Sequence, residues 1–151
     1  MRKRKNIKIF HKDADLIVCE KPMGMPVASD RTGDMDLMHQ LKNQIFFEEN
    51  LKEEPELYVV HRLDRPVGGV MVFARTKEAA ASLSEQIKEH TFEKDYQAVL
   101  TGWLPDDEGT WIDFLLKDAK SNKSKVVPEG TKEAKKAILD YEVIDMMETD
   151  R

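Results

Sequence analysis

Seven short apolar or alternating runs punctuate this 151-residue chain, and only two stretches between them carry helical spacing. The runs are Ile7–Phe10, Leu16–Cys19, Tyr58–Arg62, Val70–Ala74, Tyr96–Leu100, Trp111–Leu115 and Ala137–Ile144, each of strand length and composition. Leu37, Leu41 and Ile45 recur at every fourth position, as do Ala79, Leu83 and Ile87, so each triplet lies along one helix face. Thr76 is placed to cap the second helix, and Asp34 or Asp36 the first. Strands follow one another too often for repeated βαβ units. The pattern predicts an α+β fold with a mixed, largely antiparallel β-sheet flanked by helices. No internal repeat, low-complexity tract or Pro/Gly/Ser-rich linker divides the chain, so residues 1–151 read as a single domain. The last strand-like run is followed closely by the end at Arg151, and a final strand without its hairpin partner leaves an open sheet edge. The expectation is a domain truncated at its C-terminus.

Composition narrows the function classes. With 40% hydrophobic and 35% charged residues the chain is globular, and no apolar run is long enough to span a membrane. The basic start, Met1-Arg2-Lys3-Arg4-Lys5, runs into a β-like segment without the apolar core of a secretory signal, which predicts a cytoplasmic protein. The single cysteine, Cys19, lies in an apolar run and reads as a buried structural thiol. There is no Cys/His cluster of metal-ligand spacing, no phosphate-binding Gly-Lys-Ser/Thr loop and no Gly-x-Ser-x-Gly elbow. His11, His39, His61 and His90 are scattered, and each reads as structural or solvated rather than as a ligand. A net charge of -5 argues against the simplest nucleic-acid reading. Cations nonetheless cluster at Arg2 to Lys5, at Arg62/Arg65/Arg75 and at Lys117/Lys120/Lys123/Lys125, while acids gather elsewhere, which leaves room for a basic face.

The densest chemistry is His61-Arg62-Leu63-Asp64-Arg65-Pro66-Val67-Gly68-Gly69, set between two β-like runs. Asp64 stands between two guanidinium groups, and nearby positive charge favours an ionised carboxylate. A permanently charged Asp at a strand end is a candidate nucleophile or base. The plainer reading is an Arg-Asp cluster that pins a strand-to-loop junction, since structural ion pairs shift pKa values as well. Gly68 and Gly69 lack a Cβ and allow backbone or ligand to approach closely.

This segment resembles the active-site signature of the RluA-type RNA pseudouridine synthases. Further matches follow in the family's order. Asp13-x-x-Leu16-x-Val18-x-x-Lys21-Pro22-x-Gly24 resembles its opening strand and turn, Lys94-x-Tyr96-x-Ala98 with Gly102 the strand that supplies its active-site tyrosine, and Lys135-x-Ala137 with Tyr141 and Val143 a later strand. The resemblance spans roughly Ile9 to Ile144 and makes the chain the N-terminal and central part of such a catalytic domain.

The resemblance implies isomerisation of uridine in structured RNA, ribosomal or transfer: the C1′–N1 glycosidic bond breaks, the uracil turns and rejoins through C5. It implies that no cofactor is needed, in agreement with a residue inventory that offers no metal site; the expected partner is structured RNA, with no membrane, and a monomer is expected. Asp64 corresponds to the essential aspartate, which attacks C1′ or removes a sugar proton. Tyr96 matches the tyrosine that stacks on the uracil; a core aromatic is its plainer role. Arg62 is expected to pair with Asp64 or to fill the gap left by the flipped base, with His61 and Arg65 as further substrate contacts. Lys21, Pro22 and Gly24 are expected to shape a turn rather than touch RNA. Two departures stand out. Pro66-Val67-Gly68 occupies the place of a Thr-Ser-Gly found in many relatives, and the family's later Arg-Thr-His-Gln-Ile-Arg-like segment, which supplies a basic partner for the aspartate, has no counterpart before Arg151. No S4-like RNA-binding domain is recognisable ahead of the first strand in these residues, so site selection is expected to rest on this domain or on parts outside it. The rival readings are a non-catalytic RNA-binding relative or inactive fragment and, more distantly, a protein-interaction domain suited to the acidic pI.

Overall fold

Alternation along Leu16–Lys21 (β2) turns Ile17, Cys19 and Lys21 into the core and leaves Glu20 in solvent. The computed structural model describes residues 6–29, 33–118, 121 and 123–147, and the chain divides into two compact units, 1–96 and 97–151. In the first unit β2 pairs antiparallel with Ile9–Lys12 (β1). The turn between them is an Asp13 device: its Oδ1 accepts from the backbone N–H of Asp15 at 2.8 Å and of Leu16 at 2.7 Å. On its other side β2 pairs with Gly69–Ala74 (β4) over its whole length, from Leu16↔Ala74 to Lys21↔Gly69. Tyr58–Val59 (β3) joins the far edge of β4, giving the order β1-β2-β4-β3.

The first helix, α1 (Leu37–Glu48), starts where Asp36 accepts a hydrogen bond from the His39 N–H, and it buries Leu37, Leu41 and Ile45 completely. These pack with Ile17, Cys19, Met71 and Phe73 of the sheet, so the core has the expected helix-on-sheet form. Thr76 caps the second helix, α2 (Lys77–Lys88), as expected; its stripe of Ala79, Leu83 and Ile87 is only half-buried. Cys19 is fully buried, and burial pushes its thiol pKa up to about 12, well away from reactivity.

The second unit is a three-stranded antiparallel sheet in the order β6-β5-β7, built from Glu108–Asp118 (β5), Lys123–Val127 (β6) and Lys135–Glu142 (β7). Register places Ile112 opposite Ile138 and Trp111 opposite Leu139. Because neighbouring residues of a strand point to opposite faces, the sheet is apolar on both sides. All four side chains are exposed, and no described residue of this unit is buried.

The structure therefore keeps the α+β class and the antiparallel pairing, with the strands distributed over two sheets. It corrects one element. Tyr96–Leu100 is not a strand; Tyr96, Val99 and Leu100 are 62%, 93% and 62% exposed. Strand propensity expresses fit to a paired, pleated surface, and no described strand pairs with this segment. β6 was not foreseen, because Lys123-Ser124-Lys125 hides its alternation. The basic cluster at Arg2 to Lys5, Lys120 and the last residues of the chain lie outside the described residues. Among the described residues no helix is long and apolar enough to cross a membrane.

Candidate active site

Register between β2 and β4 brings Lys21 alongside Gly69, directly beneath the loop that links β3 to β4. Lys21 is fully buried, and its Nζ donates to the carbonyl oxygens of Val67 at 2.6 Å and of Arg65 and Pro22 at 3.2 Å each. An ammonium out of water needs such partners, and three carbonyls match its three hydrogens. Burial pulls its pKa below the ordinary lysine value, and the charge of Asp64 pushes it back up, so these two groups are electrostatic neighbours. Lys21 thus shapes the turn, as expected, and also places a buried positive charge near Asp64.

The loop is braced on other sides as well. Arg65 donates from Nε to the Gly24 carbonyl at 3.0 Å, its guanidinium pairs with Asp34 at 2.5 Å, and the Gly24 N–H returns a bond to the Arg65 carbonyl at 2.8 Å. Gly24 has φ of 80°, a conformation that favours glycine. The Val67 N–H closes a turn on the Asp64 carbonyl at 3.0 Å, across Arg65 and Pro66.

His61 holds the loop to the sheet. β3 stops at Val59 opposite Phe73, and the next ladder donor, the Val72 N–H, is taken by His61 Nε2 at 3.1 Å. That bond requires a bare Nε2. The ring is half-buried, and burial, with the positive charge of Lys94, lowers its pKa below 6.5, so the neutral form prevails near pH 7. The ring also lies 5.5 Å from that of Phe92.

Asp64 and Arg62 are both exposed, and among the described residues neither side chain makes an ion pair or hydrogen bond. The expected Arg-Asp-Arg cluster is not formed: Arg65 is engaged by Asp34 and Gly24, and the cation acting on Asp64 is Lys21. Tyr96 is exposed and, among the described residues, makes no hydrogen bond or ring contact; Phe92 and Lys94, just before it, act on His61. Sequence reasoning missed Lys21 and Asp34 as parts of this constellation. A signal existed for Lys21, which continues the inward parity of Ile17 and Cys19. Among the described residues no group of three or more His, Cys, Asp or Glu side chains could hold a metal ion. The result is one unpaired carboxylate raised on a rigid loop above a buried cation.

Comparison with known proteins places the chain in a family. The sequence profile described as RNA pseudouridylate synthase matches residues 15–150. The chain is 32% identical over 145 residues to tRNA pseudouridine synthase C of Haemophilus influenzae, covering 94% of this chain and 56% of the relative. It is 30% identical over 145 residues to the protein of that name from Vibrio parahaemolyticus, covering 94% and 55%. Its fold superposes on human RNA Pseudouridylate Synthase Domain Containing 1 with a TM-score of 0.71 at 22% identity, over 93% of this chain and 54% of that one. The chain spans about half the length of the curated relatives it matches. With a family match running almost from end to end, this chain belongs to the RNA pseudouridylate synthase family.

Proposed function

We propose that this chain carries the catalytic aspartate of an RNA pseudouridine synthase that isomerises uridine to pseudouridine in structured RNA. The observation that carries the reading is Asp64: an exposed carboxylate without a partner, on a loop held by Lys21, His61 and Arg65, in a chain of this family. An unpaired carboxylate is free to act on the sugar, as nucleophile at C1′ or as the base that removes a sugar proton. The uracil then turns and is recaptured through C5, with the C5 proton released. The reaction is redox-neutral and keeps both fragments. One carboxylate suffices, and a second acid with an admitted water, as a glycosidase uses, has no place in it.

In this reading Tyr96 stacks on the uracil and Arg62 contacts the RNA or the vacated base position. His61 and Arg65, which the sequence suggested as RNA contacts, brace the loop instead. Units 1–96 and 97–151 are parts of one catalytic domain, since the family match runs through both. Transfer RNA is favoured over ribosomal RNA by the names of the relatives. The protein acts as a cytoplasmic monomer without a cofactor. RNA binding without turnover by the 151-residue chain alone is the second reading, favoured by its coverage of only 55–56% of those relatives.

The test is release of tritium from transcripts labelled at uridine C5, using the protein expressed from the complete gene. Release by the unaltered protein and none by Asp64→Asn supports the reading. Equal release by both overturns the role of Asp64, and no release by either favours RNA binding alone.

A further inference from the structure

Charge in the second unit is sorted along its sheet. Lys117 near the end of β5, Lys123 and Lys125 on β6, and Lys135 and Lys136 at the start of β7 are all exposed. Among the described residues none of these five ammonium groups makes an ion pair or hydrogen bond. The opposite end of the sheet carries Glu108, Asp140 and Glu142. In the first unit Lys8, Lys12, Lys42 and Lys88 each face a glutamate, while Lys52, Lys77 and Lys94, which make no ion pair or hydrogen bond among the described residues, lie on separate segments and not on paired strands. A single unpaired surface lysine is ordinary. Five collected at one end of one sheet, three by parity on one face and two on the other, are a concentration of charge.

Register does the collecting. Lys123 stands opposite Asp118, Lys125 opposite Leu116, and Lys136 opposite Phe114. Asp118, Leu116 and Phe114 share a strand parity, so these three lysines lie on one face, in steps of roughly 7 Å measured along β5. Lys117, Lys123 and Lys125 border a shallow depression of about 350 Å³ together with Ser121 and Ser124. The Asp118 carboxylate lies there too and accepts a 2.8 Å bond from the Ser121 hydroxyl, which leaves three cations against one anion.

We propose that this end of the second-unit sheet, centred on Lys123, Lys125 and Lys136, is a contact surface for the phosphate backbone of RNA. The inference rests on the RNA reading above and adds to it a place on the molecule that is not the Asp64 loop. Three point charges in a row neutralise successive phosphates and release their counterions, which supplies affinity and orientation without reading bases. It also resolves the conflict between a net charge of -5 and a polyanionic partner, because the relevant charge is local.

The experiment measures affinity for a pool of unmodified transfer RNA transcripts as a function of salt, for three proteins made from the complete gene. These are the unaltered protein, the triple variant Lys123→Gln/Lys125→Gln/Lys136→Gln, and a control of equal charge change in the first unit, Lys52→Gln/Lys77→Gln/Lys88→Gln. Thermal unfolding checks that all three fold. The proposal predicts that the sheet variant binds at least about tenfold more weakly near 0.1 M salt, with a log–log salt slope shallower by roughly two to three. The control stays within about twofold, and the matching Lys→Arg triple restores binding. An unchanged slope in the sheet variant, or equal weakening by the control, overturns the surface while the RNA reading stands. Absence of salt-dependent binding by the unaltered protein overturns both. Lost binding of polyglutamate with RNA affinity intact assigns the surface to an acidic protein and overturns the proposal.

Discussion

The two units handle the same raw materials differently. In residues 1–96 a helix covers the sheet, and many of the cations, among them Lys8, Lys12, Lys42 and Arg75, are engaged by carboxylates, with Lys21 held by backbone carbonyls. In residues 97–151 a sheet with apolar residues on both faces has none of them buried, and among the described residues its strand lysines make no ion pair or hydrogen bond. The first pattern is that of a unit that stabilises itself and holds one carboxylate ready. The second is that of a surface whose partners lie outside it. Under the two proposals above, the charge that meets RNA is unengaged charge: Asp64 in the first unit and the clustered lysines in the second. Asp64 makes the first unit interesting: among the described residues its carboxylate, like the Arg62 guanidinium, stays unpaired on a loop where His61 and Arg65 are tied down.

The largest effect sought is in turnover. Asp64→Asn is expected to lower pseudouridine formation by at least about 10²-fold with the unfolding midpoint unchanged. A large loss of stability instead would make Asp64 a structural residue like its neighbours. Next is a pair that tests burial itself. Leu41→Ala in α1 should cost about 2–5 kcal/mol in denaturant unfolding, whereas Ile138→Ala in β7 should fall within about 0.5 kcal/mol, since Leu41 is 0% and Ile138 60% exposed. An equal cost at both would show that the sheet of the second unit is covered in solution.

Lys21→Met comes third. It removes a buried donor from three carbonyls and should destabilise by about 1–3 kcal/mol while also slowing turnover, because the loop carrying Asp64 loses its underside. Loss of stability with full turnover would uncouple the brace from the chemistry. The smallest effect is a pH dependence at His61. Its pKa is lowered in the folded protein, so on acidification the unfolded chain takes up the proton first. Its contribution to stability is complete above the ordinary value of 6.5 and is lost as pH falls through the lowered folded value. The drop in unfolding midpoint between about pH 7.5 and pH 5 should be smaller in His61→Gln, whose side-chain oxygen can accept from Val72 without titrating. An equal drop would remove His61 from the brace.

Legibility in the sequence followed the physics of each element. Both helices could be read because cap and period agree: Asp36 with Leu37, Leu41 and Ile45, and Thr76 with Ala79, Leu83 and Ile87. β6 could not, since its strand character comes from pairing with β5 and not from its own composition. Tyr96–Leu100 misled in the opposite sense, having propensity without a partner. At the candidate site, the motif singles out Asp64 in the sequence. Its surroundings were not legible, because adjacency in sequence suggested pairing with Arg62 and Arg65, whereas the fold carries Arg65 to Asp34 and brings Lys21 in from a strand 43 positions earlier.

The most direct test of the account is a transcriptome-wide chemical map of pseudouridine in cells lacking the gene, rescued either by the unaltered protein or by its Asp64→Asn form. The account predicts that one or a few sites disappear and that only the unaltered protein restores them. Restoration by Asp64→Asn, or a map unchanged by deletion, would contradict it.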